Sequence, residues 1–200
     1  MRFLKTITED EMVALFLQTE IHSFRFRKNI LNLLRKEKKD RAIVEHPTLS
    51  NKQENTYRKH LLGEFRGYHK NKELFEHFPF QLTWKKALLT KEELKKIKYI
   101  NWDYWLELSN STRKPSLAAE KIKKGLLSKR ESKPFLNAAT YLNKGGAFKP
   151  LILVSANKKT PLVVLEGHLR LTSYFLSKKL PSSLEVIIGY SPNIKKWDLY

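Results

Sequence analysis

The spacing of apolar residues predicts helices over much of the first 112 residues. Between residues 12 and 34 apolar side chains recur every three or four positions, which is the period of one helix face. Thr8 and Glu11 precede this run at the spacing of a capping box, in which each side chain bonds the backbone N–H of the other at a helix start. Thr90 and Glu93 repeat that spacing. The predicted helical segments are residues 9–39, as one helix or two, 56–69 and 91–97.

After Pro115 the pattern changes from helices to short strands. Pro115 is placed to open one helix, and the apolar run over 135–142, ahead of the glycine pair 145–146, predicts another. Two β-rich runs, 151–154 and 162–165, are separated by a polar turn and predict a hairpin. An amphipathic run over 168–179 and a third β-rich run over 184–188 complete the order β-β-α-β.

These elements predict an α+β protein with two parts. Residues 1–112 form a mainly helical region of unknown role, which packs on a small β-β-α-β module within residues 113–200. The length of 200 residues and the 41% hydrophobic content are typical of a globular chain with a sizeable core.

Features that the sequence lacks exclude several kinds of chemistry and of membrane attachment. There is no cysteine, which excludes disulfides, thiolate metal sites and cysteine nucleophiles. The first residues lack the apolar core of a signal peptide, and no apolar run approaches the ~20 residues of a membrane span. We therefore expect a soluble, cytoplasmic protein with no membrane span.

The net charge of +19 favours a polyanionic partner, because surface Lys and Arg displace the counterions condensed on phosphate backbones. The excess is shared almost evenly between the two halves of the chain, so it does not locate a site. Its densest stretch is residues 112–149. The alternative is a lysine-rich surface that only keeps the protein hydrated. The candidate nucleic-acid contacts are Arg113, Lys114, Lys121 and Lys124.

An aromatic cluster lies between the predicted helices, at Tyr99, Trp102, Tyr104 and Trp105. Such clusters are more often packing anchors than platforms for base stacking. The helices around Trp102 and Trp105 are also where a protein partner would dock, if the helical half has one.

The most informative motif is Glu166-Gly167-His168-Leu169-Arg170, placed where a buried strand turns into a helix. Glycine lets the backbone approach a ligand closely, and the free N–H groups of a first helical turn attract an anion. Arg170 adds a permanent charge that can bind phosphate in a bidentate manner. The alternative is a tight turn at Gly167, a capping His168 and a surface ion pair at Arg170.

In its wider setting the motif resembles the box Gly-x-x-Arg of the superfamily that contains ParB N-terminal domains and sulfiredoxins. The resemblance covers residues 134–188 and rests on this box between a strand end and a helix. It implies a phosphate-contacting role for Gly167, His168 and Arg170, and a place beside them for Glu166 to hold Mg²⁺. Its members bind ATP or CTP or cleave DNA, which makes ATP or CTP with Mg²⁺ the expected cofactor.

Three departures limit what the resemblance implies. Without cysteine the sulfiredoxin reaction is excluded. The chain ends at Tyr200 with no helix-turn-helix domain after the box, so we expect no centromere binding by that route. Residues 1–110 have no counterpart in the resemblance.

The leading hypothesis is binding of nucleotide or nucleic-acid phosphate at the turn, with Mg²⁺-dependent ATP or CTP hydrolysis or DNA cleavage as its enzymatic form. Hydrolysis would use Glu166 to hold Mg²⁺ or a water, and His168 as acid or base. The alternative is that the Glu166 carboxylate only interacts favourably with the dipole of the helix that follows it. The competing hypotheses are a non-enzymatic, basic DNA-binding or regulatory protein, and a protein-docking module with a vestigial nucleotide site. No P-loop and no metal-ligand spacing of histidines is present.

Overall fold

The computed structural model describes residues 1–200 and contains helices on both faces of a five-stranded sheet. The α-helices are α1 (Glu9–Glu20), α2 (Arg27–Lys36), α3 (Ala42–Glu45), α4 (Lys52–Arg66), α5 (Lys91–Leu94), α6 (Asp103–Leu108), α7 (Pro115–Lys123), α8 (Lys129–Asn143) and α9 (His168–Leu176). The strands are β1 (Arg2–Ile7), β2 (Thr83–Thr90), β3 (Leu151–Ser155), β4 (Val163–Glu166) and β5 (Ser183–Tyr190). Short 3-10 helices span Glu73–Phe75 and Pro192–Lys196. The predicted α+β class is confirmed.

The sheet joins the two halves of the chain. Its strand order is β1-β2-β5-β3-β4, with β3 and β5 parallel and every other pair antiparallel. The predicted hairpin is β3–β4, and the predicted order β-β-α-β is found as β3, β4, α9 and β5. The region 1–112 is not only helical, however, because it supplies β1 and β2. The pairing of β2 with β5 runs from Thr83 opposite Tyr190 to Thr90 opposite Ser183.

Strand β3 shows how both faces of the sheet are buried. Ile152 and Val154 contribute to the larger core, which the helices α1, α2 and α4 cover. Leu151 and Leu153 point to the opposite face, where they share a second core with Leu171 of α9. Alternate side chains of a strand face opposite sides of a sheet, so a strand covered on both sides is apolar throughout.

A third, smaller core places α6, α7 and α8 around α9. Trp105 and Leu169 pack against it, and its five buried residues are Tyr99, Leu108, Ala118, Ile122 and Phe135. The start of α9 is therefore held between the sheet on one side and the aromatic segment around α6 on the other.

The capping boxes form as the spacing predicts. Thr8 accepts a hydrogen bond from the Glu11 backbone while the Glu11 carboxylate accepts one from the Thr8 backbone, and Thr90 and Glu93 do the same. The predicted run over 9–39 is two helices, α1 and α2. No helix combines the length and the apolar content that crossing a membrane requires.

Helix α8 begins earlier than the apolar pattern predicts. The pattern indicates a start at Phe135, but a capping box of Ser128 and Glu131 starts the helix at Lys129. Pro134 lies inside the helix and cannot donate a backbone hydrogen bond there. The cap and the packing of Phe135 and Ala139 offset that loss.

Candidate functional site

The predicted turn lies on a cleft of about 940 Å³ between the N-terminal helices and the C-terminal module. We refer to this cavity as the cleft. Its walls come from the end of α1 and the loop after it, the end of α4, the aromatic segment at α6, the end of α8 with the loop before β3, and the β4–α9 turn. The corresponding residues are 18–20, 22–26, Arg66, 73–74, Ile100, Trp102, Tyr104, Trp105, Tyr141, 147–149 and 165–170.

Gly167 adopts a backbone conformation that few other residues could adopt here. Its φ is +105° and ψ is 22°, in the left-handed region, and its carbonyl accepts the first bond of α9 from the Leu171 N–H at 2.9 Å. A Cβ at this position would lie 2.6 Å from Leu151 Cδ2 and 2.9 Å from Arg170 Nη2. The glycine is therefore required both by its conformation and by its neighbours.

The guanidinium of Arg170 donates hydrogen bonds to acceptors of the protein itself. Nη1 donates to the carbonyls of Lys149 (2.6 Å) and Pro150 (3.2 Å), and Nη2 donates to the Glu166 carboxylate. Burial lowers the pKa of Arg170 to about 10, opposed by the charge of Glu20, so it remains charged at neutral pH. Arg170 thus fastens the start of β3 to the end of β4, and a phosphate bound to it would compete with Glu166.

The position of Glu166 suits the ion pair with Arg170 better than the binding of a metal ion. Its carboxylate meets Arg170, and both side chains are largely buried. No group of three or more His, Cys, Asp or Glu side chains is arranged to hold a metal ion. The magnesium role of Glu166 stays a prediction.

His168 is held in an aromatic stack. Its ring lies 4.7 Å from the Trp105 ring at an interplanar angle of 15°, and 5.9 Å from the Tyr99 ring. Its Nε2 is buried and has no hydrogen-bond partner. Burial, and secondarily the charge of Arg66, lower the pKa of His168 to about 3. The imidazole is neutral and weakly basic at pH 7, which disfavours the predicted acid–base role.

This pKa makes stability depend on pH. An unfolded histidine binds a proton below about pH 6.5, whereas native His168 resists protonation down to about pH 3. The unfolded state binds more protons in that interval, so the free energy of unfolding falls as the pH is lowered through it. Between about pH 6.5 and about pH 5.5, the free energy of unfolding measured in urea should fall by roughly 1 kcal/mol more for wild type than for His168→Phe. Phe is the chosen replacement because it keeps a ring in the stack. An equal fall in both proteins would contradict the low pKa of His168.

The N-terminal half adds charged residues to the cleft that the sequence did not predict. Glu20 of α1 is only 7% exposed, and burial raises its pKa while Arg66, Arg170 and Arg25 oppose the rise. Arg66, the last residue of α4, lies over the Phe26 ring at 4.4 Å. Its Nε is buried and has no hydrogen-bond partner, and burial lowers its pKa.

No local signal marks these residues in the sequence. Arg66 precedes Gly67, which ends α4 in the left-handed conformation, and a basic residue there is what the helix dipole alone favours. Arg66 reaches the turn because α1 and α4 share a core with Leu165 of β4. Arg66 and the turn are brought together by tertiary packing, which the spacing of residues along the chain does not indicate.

Two of the predicted nucleic-acid contacts have structural partners outside the cleft. Arg113 Nε donates to the Tyr99 carbonyl at 2.8 Å, and its Nη2 donates to the Leu199 carbonyl at 3.4 Å. Lys121 Nζ donates to the Glu107 carbonyl at 2.9 Å. These bonds fasten the loop before α7, and α7 itself, to their neighbours.

The other two flank α7 on the surface. Lys114 precedes this helix and Lys124 follows it, and both are exposed without lining the cleft. Of the charged residues in the basic stretch 112–149, Lys149 is the one that lines it. The turn and the four predicted contacts are therefore not brought together, and nucleic-acid binding by those four stays a prediction.

Comparison with known proteins adds no relative. No family model matches the chain, and neither a curated protein nor a solved structure does. The resemblance to the ParB and sulfiredoxin superfamily thus remains a prediction that rests on the box at Gly167 and on the order of the elements around it.

Proposed function

We propose that the cleft binds the phosphate of a nucleotide beside the Gly167 turn, with Arg66 as its main charged contact. The observation that carries the proposal is Arg66, a cationic side chain that lines the same cavity as the turn and whose buried Nε has no hydrogen-bond partner in the protein. A buried donor without an acceptor costs about 1–3 kcal/mol, and more when it is charged. An anion placed there would recover that energy.

The shape and lining of the cleft favour a nucleotide over a bare inorganic anion. Its volume of about 940 Å³ is near the upper end of small-molecule pockets. Phe26, Trp105 and Phe148 are half-buried in it and present apolar surface that suits a base. The neutral His168 also lines the cleft, and its buried Nε2 has no hydrogen-bond partner in the protein.

The geometry supports binding more than hydrolysis. His168 is too weak a base at neutral pH to activate water efficiently. Glu166 is engaged by Arg170. ATP or CTP with Mg²⁺ remains the proposed ligand, and its hydrolysis is a separate question that a phosphate-release assay answers.

Titration of the purified protein with ATP, CTP and GTP, with and without Mg²⁺, tests the proposal. Arg66→Gln should weaken binding about 10- to 150-fold, because hydrogen bonds to a charged group contribute about 1.5–3 kcal/mol. Arg35→Gln is the matched control, since Arg35 is exposed on α2 and does not line the cleft. Calorimetry that shows no saturable binding by wild type, or equal loss in both variants, would sink the proposal. DNA binding that falls steeply with salt and is equal in wild type and Arg66→Gln would instead favour the basic-surface hypothesis.

A further inference from the structure

The exposed aromatic side chains of the protein are gathered at one place. Nine large hydrophobic residues are exposed, and the four aromatic ones among them all line the cleft. The five others are aliphatic or methionine and lie elsewhere. We call the four aromatic residues the aromatic rim: Phe24, Trp102, Tyr104 and Tyr141.

The rim comes from three separate segments that meet at the mouth of the cleft. Phe24 lies in the loop between α1 and α2 and is fully exposed. Trp102 and Tyr104 are 44% and 42% exposed at the start of α6. Tyr141 of α8 is anchored by its hydroxyl, which donates to the Ala147 carbonyl at 3.2 Å. Exposed apolar surface concentrated in this way marks an interaction site.

Positive charge lies beside the rim. Arg25 and Lys149 are exposed in the cleft lining, against one exposed acidic residue, Glu73. Deeper in the cleft, Arg66 adds the unpartnered cation described above. Aromatic faces next to cations are what proteins use to bind single-stranded nucleic acid, with bases stacked on the rings and phosphates at the charges.

We propose that the cleft takes a single-stranded nucleic acid, with one phosphate at Arg66 and the Gly167 turn and the neighbouring bases stacked on the aromatic rim. This inference rests on the proposed phosphate site and extends it outward. A duplex fits less well, because its bases stack on one another and do not offer their faces. The net charge of +19 attracts the strand from solution.

The charge beside the rim favours nucleic acid over a protein partner. Aromatic-lined grooves also bind proline-rich peptides, so aromatic composition alone does not choose between the two. Such peptides carry no phosphate, whereas Arg25, Arg66 and Lys149 place three cations in the same cleft as the aromatic rim.

The test compares labelled single strands of DNA and RNA about ten nucleotides long with the matching duplex, by fluorescence anisotropy at fixed salt. Wild type should bind a single strand more tightly than the duplex. Phe24→Ala and Trp102→Ala should each weaken strand binding about 5- to 150-fold, which is more than they weaken mononucleotide binding. Trp102→Phe should restore most of the loss, and Leu126→Ala, which removes an exposed side chain outside the cleft, should have no effect. The DNA and RNA arms show which sugar the cleft accepts.

Three outcomes would overturn the inference. Equal affinity for strand and duplex would do so, as would strand binding that the rim variants leave intact. Binding of polyglutamate that is lost in the rim variants, without an effect on strand binding, would assign the rim to an acidic protein partner. In each case saturable mononucleotide binding that Arg66→Gln weakens would leave the phosphate site standing, whereas its absence in wild type would remove both proposals.

Discussion

Glu166→Gln is expected to lower the free energy of unfolding by about 2–4 kcal/mol. Glutamine keeps the shape of glutamate but not its charge, so Arg170 would remain buried without a counterion on this bond. Removing one member of a buried ion pair is far more costly than removing an exposed one, since the orphaned charge cannot return to water. Urea unfolding at neutral pH measures the loss.

The chain offers a matched control for this substitution. Glu92 pairs with Lys95 at 3.0 Å, but both side chains are well exposed. Glu92→Gln should therefore change stability by less than about 1 kcal/mol. If Glu166→Gln is as stable as Glu92→Gln, the carboxylate does not hold the turn, and a role in chemistry becomes the better interpretation of Glu166.

A double-mutant cycle separates the pair from its surroundings. Arg170→Met alone leaves Glu166 unpaired and also loses the bonds to the carbonyls of Lys149 and Pro150. The double variant lacks both charges, so its loss should be smaller than the sum of the two single losses. Additive losses would mean that the two charges do not stabilise each other.

The ion pair also bears on where a ligand would bind. Arg170 already has three acceptors, whereas Arg66 has a buried donor without one. A phosphate that replaced Glu166 at Arg170 would have to compensate for the lost ion pair, but a phosphate at Arg66 displaces no protein acceptor from Nε. At the proposed site the turn would position the phosphate with its backbone, and Arg170 stabilises the turn.

The C-terminal elements were predictable because each follows one pattern along the chain. Strands β3 and β4 are short, continuous apolar runs, since their side chains are buried. Strand β2 follows no such pattern: Trp84 belongs to one core, whereas Ala87 and Leu89 belong to the core on the opposite face. In β1 only Ile7 is fully buried, so the strand depends on its pairing with β2 rather than on its own alternation.

The candidate site was predictable only where it is local. Gly167 and Arg170 lie on one turn, and a glycine between a strand and a helix is visible in the sequence. Glu20 and Arg66 come from helices more than a hundred residues earlier in the chain and meet the turn through tertiary packing. The four basic residues around α7 were chosen by their density, which is a property of surface composition and does not indicate where a cleft lies.

Gly167→Ala is expected to lower the free energy of unfolding by about 3–5 kcal/mol. Alanine at a φ of +105° is strained, and its methyl group would overlap Leu151 and the Arg170 guanidinium. Relieving that overlap moves Arg170 away from Glu166, so the strain and the weakened ion pair add to each other. Nucleotide affinity of the folded variant should fall as well, because the turn backbone shifts.

The variant Gly125→Ala separates the effect of backbone strain from that of steric overlap. Gly125 also has a positive φ, +69°, but a Cβ there would meet no atom within 4 Å. That variant should lose only about 1 kcal/mol, the cost of a left-handed L-residue. Thermal or urea unfolding gives the loss in the free energy of unfolding for each variant. The difference between the two losses therefore measures the cost of the steric overlap at Gly167. Equal losses would show that Gly167 is needed for its backbone conformation alone, and that the contact with Leu151 and Arg170 does not fix the turn.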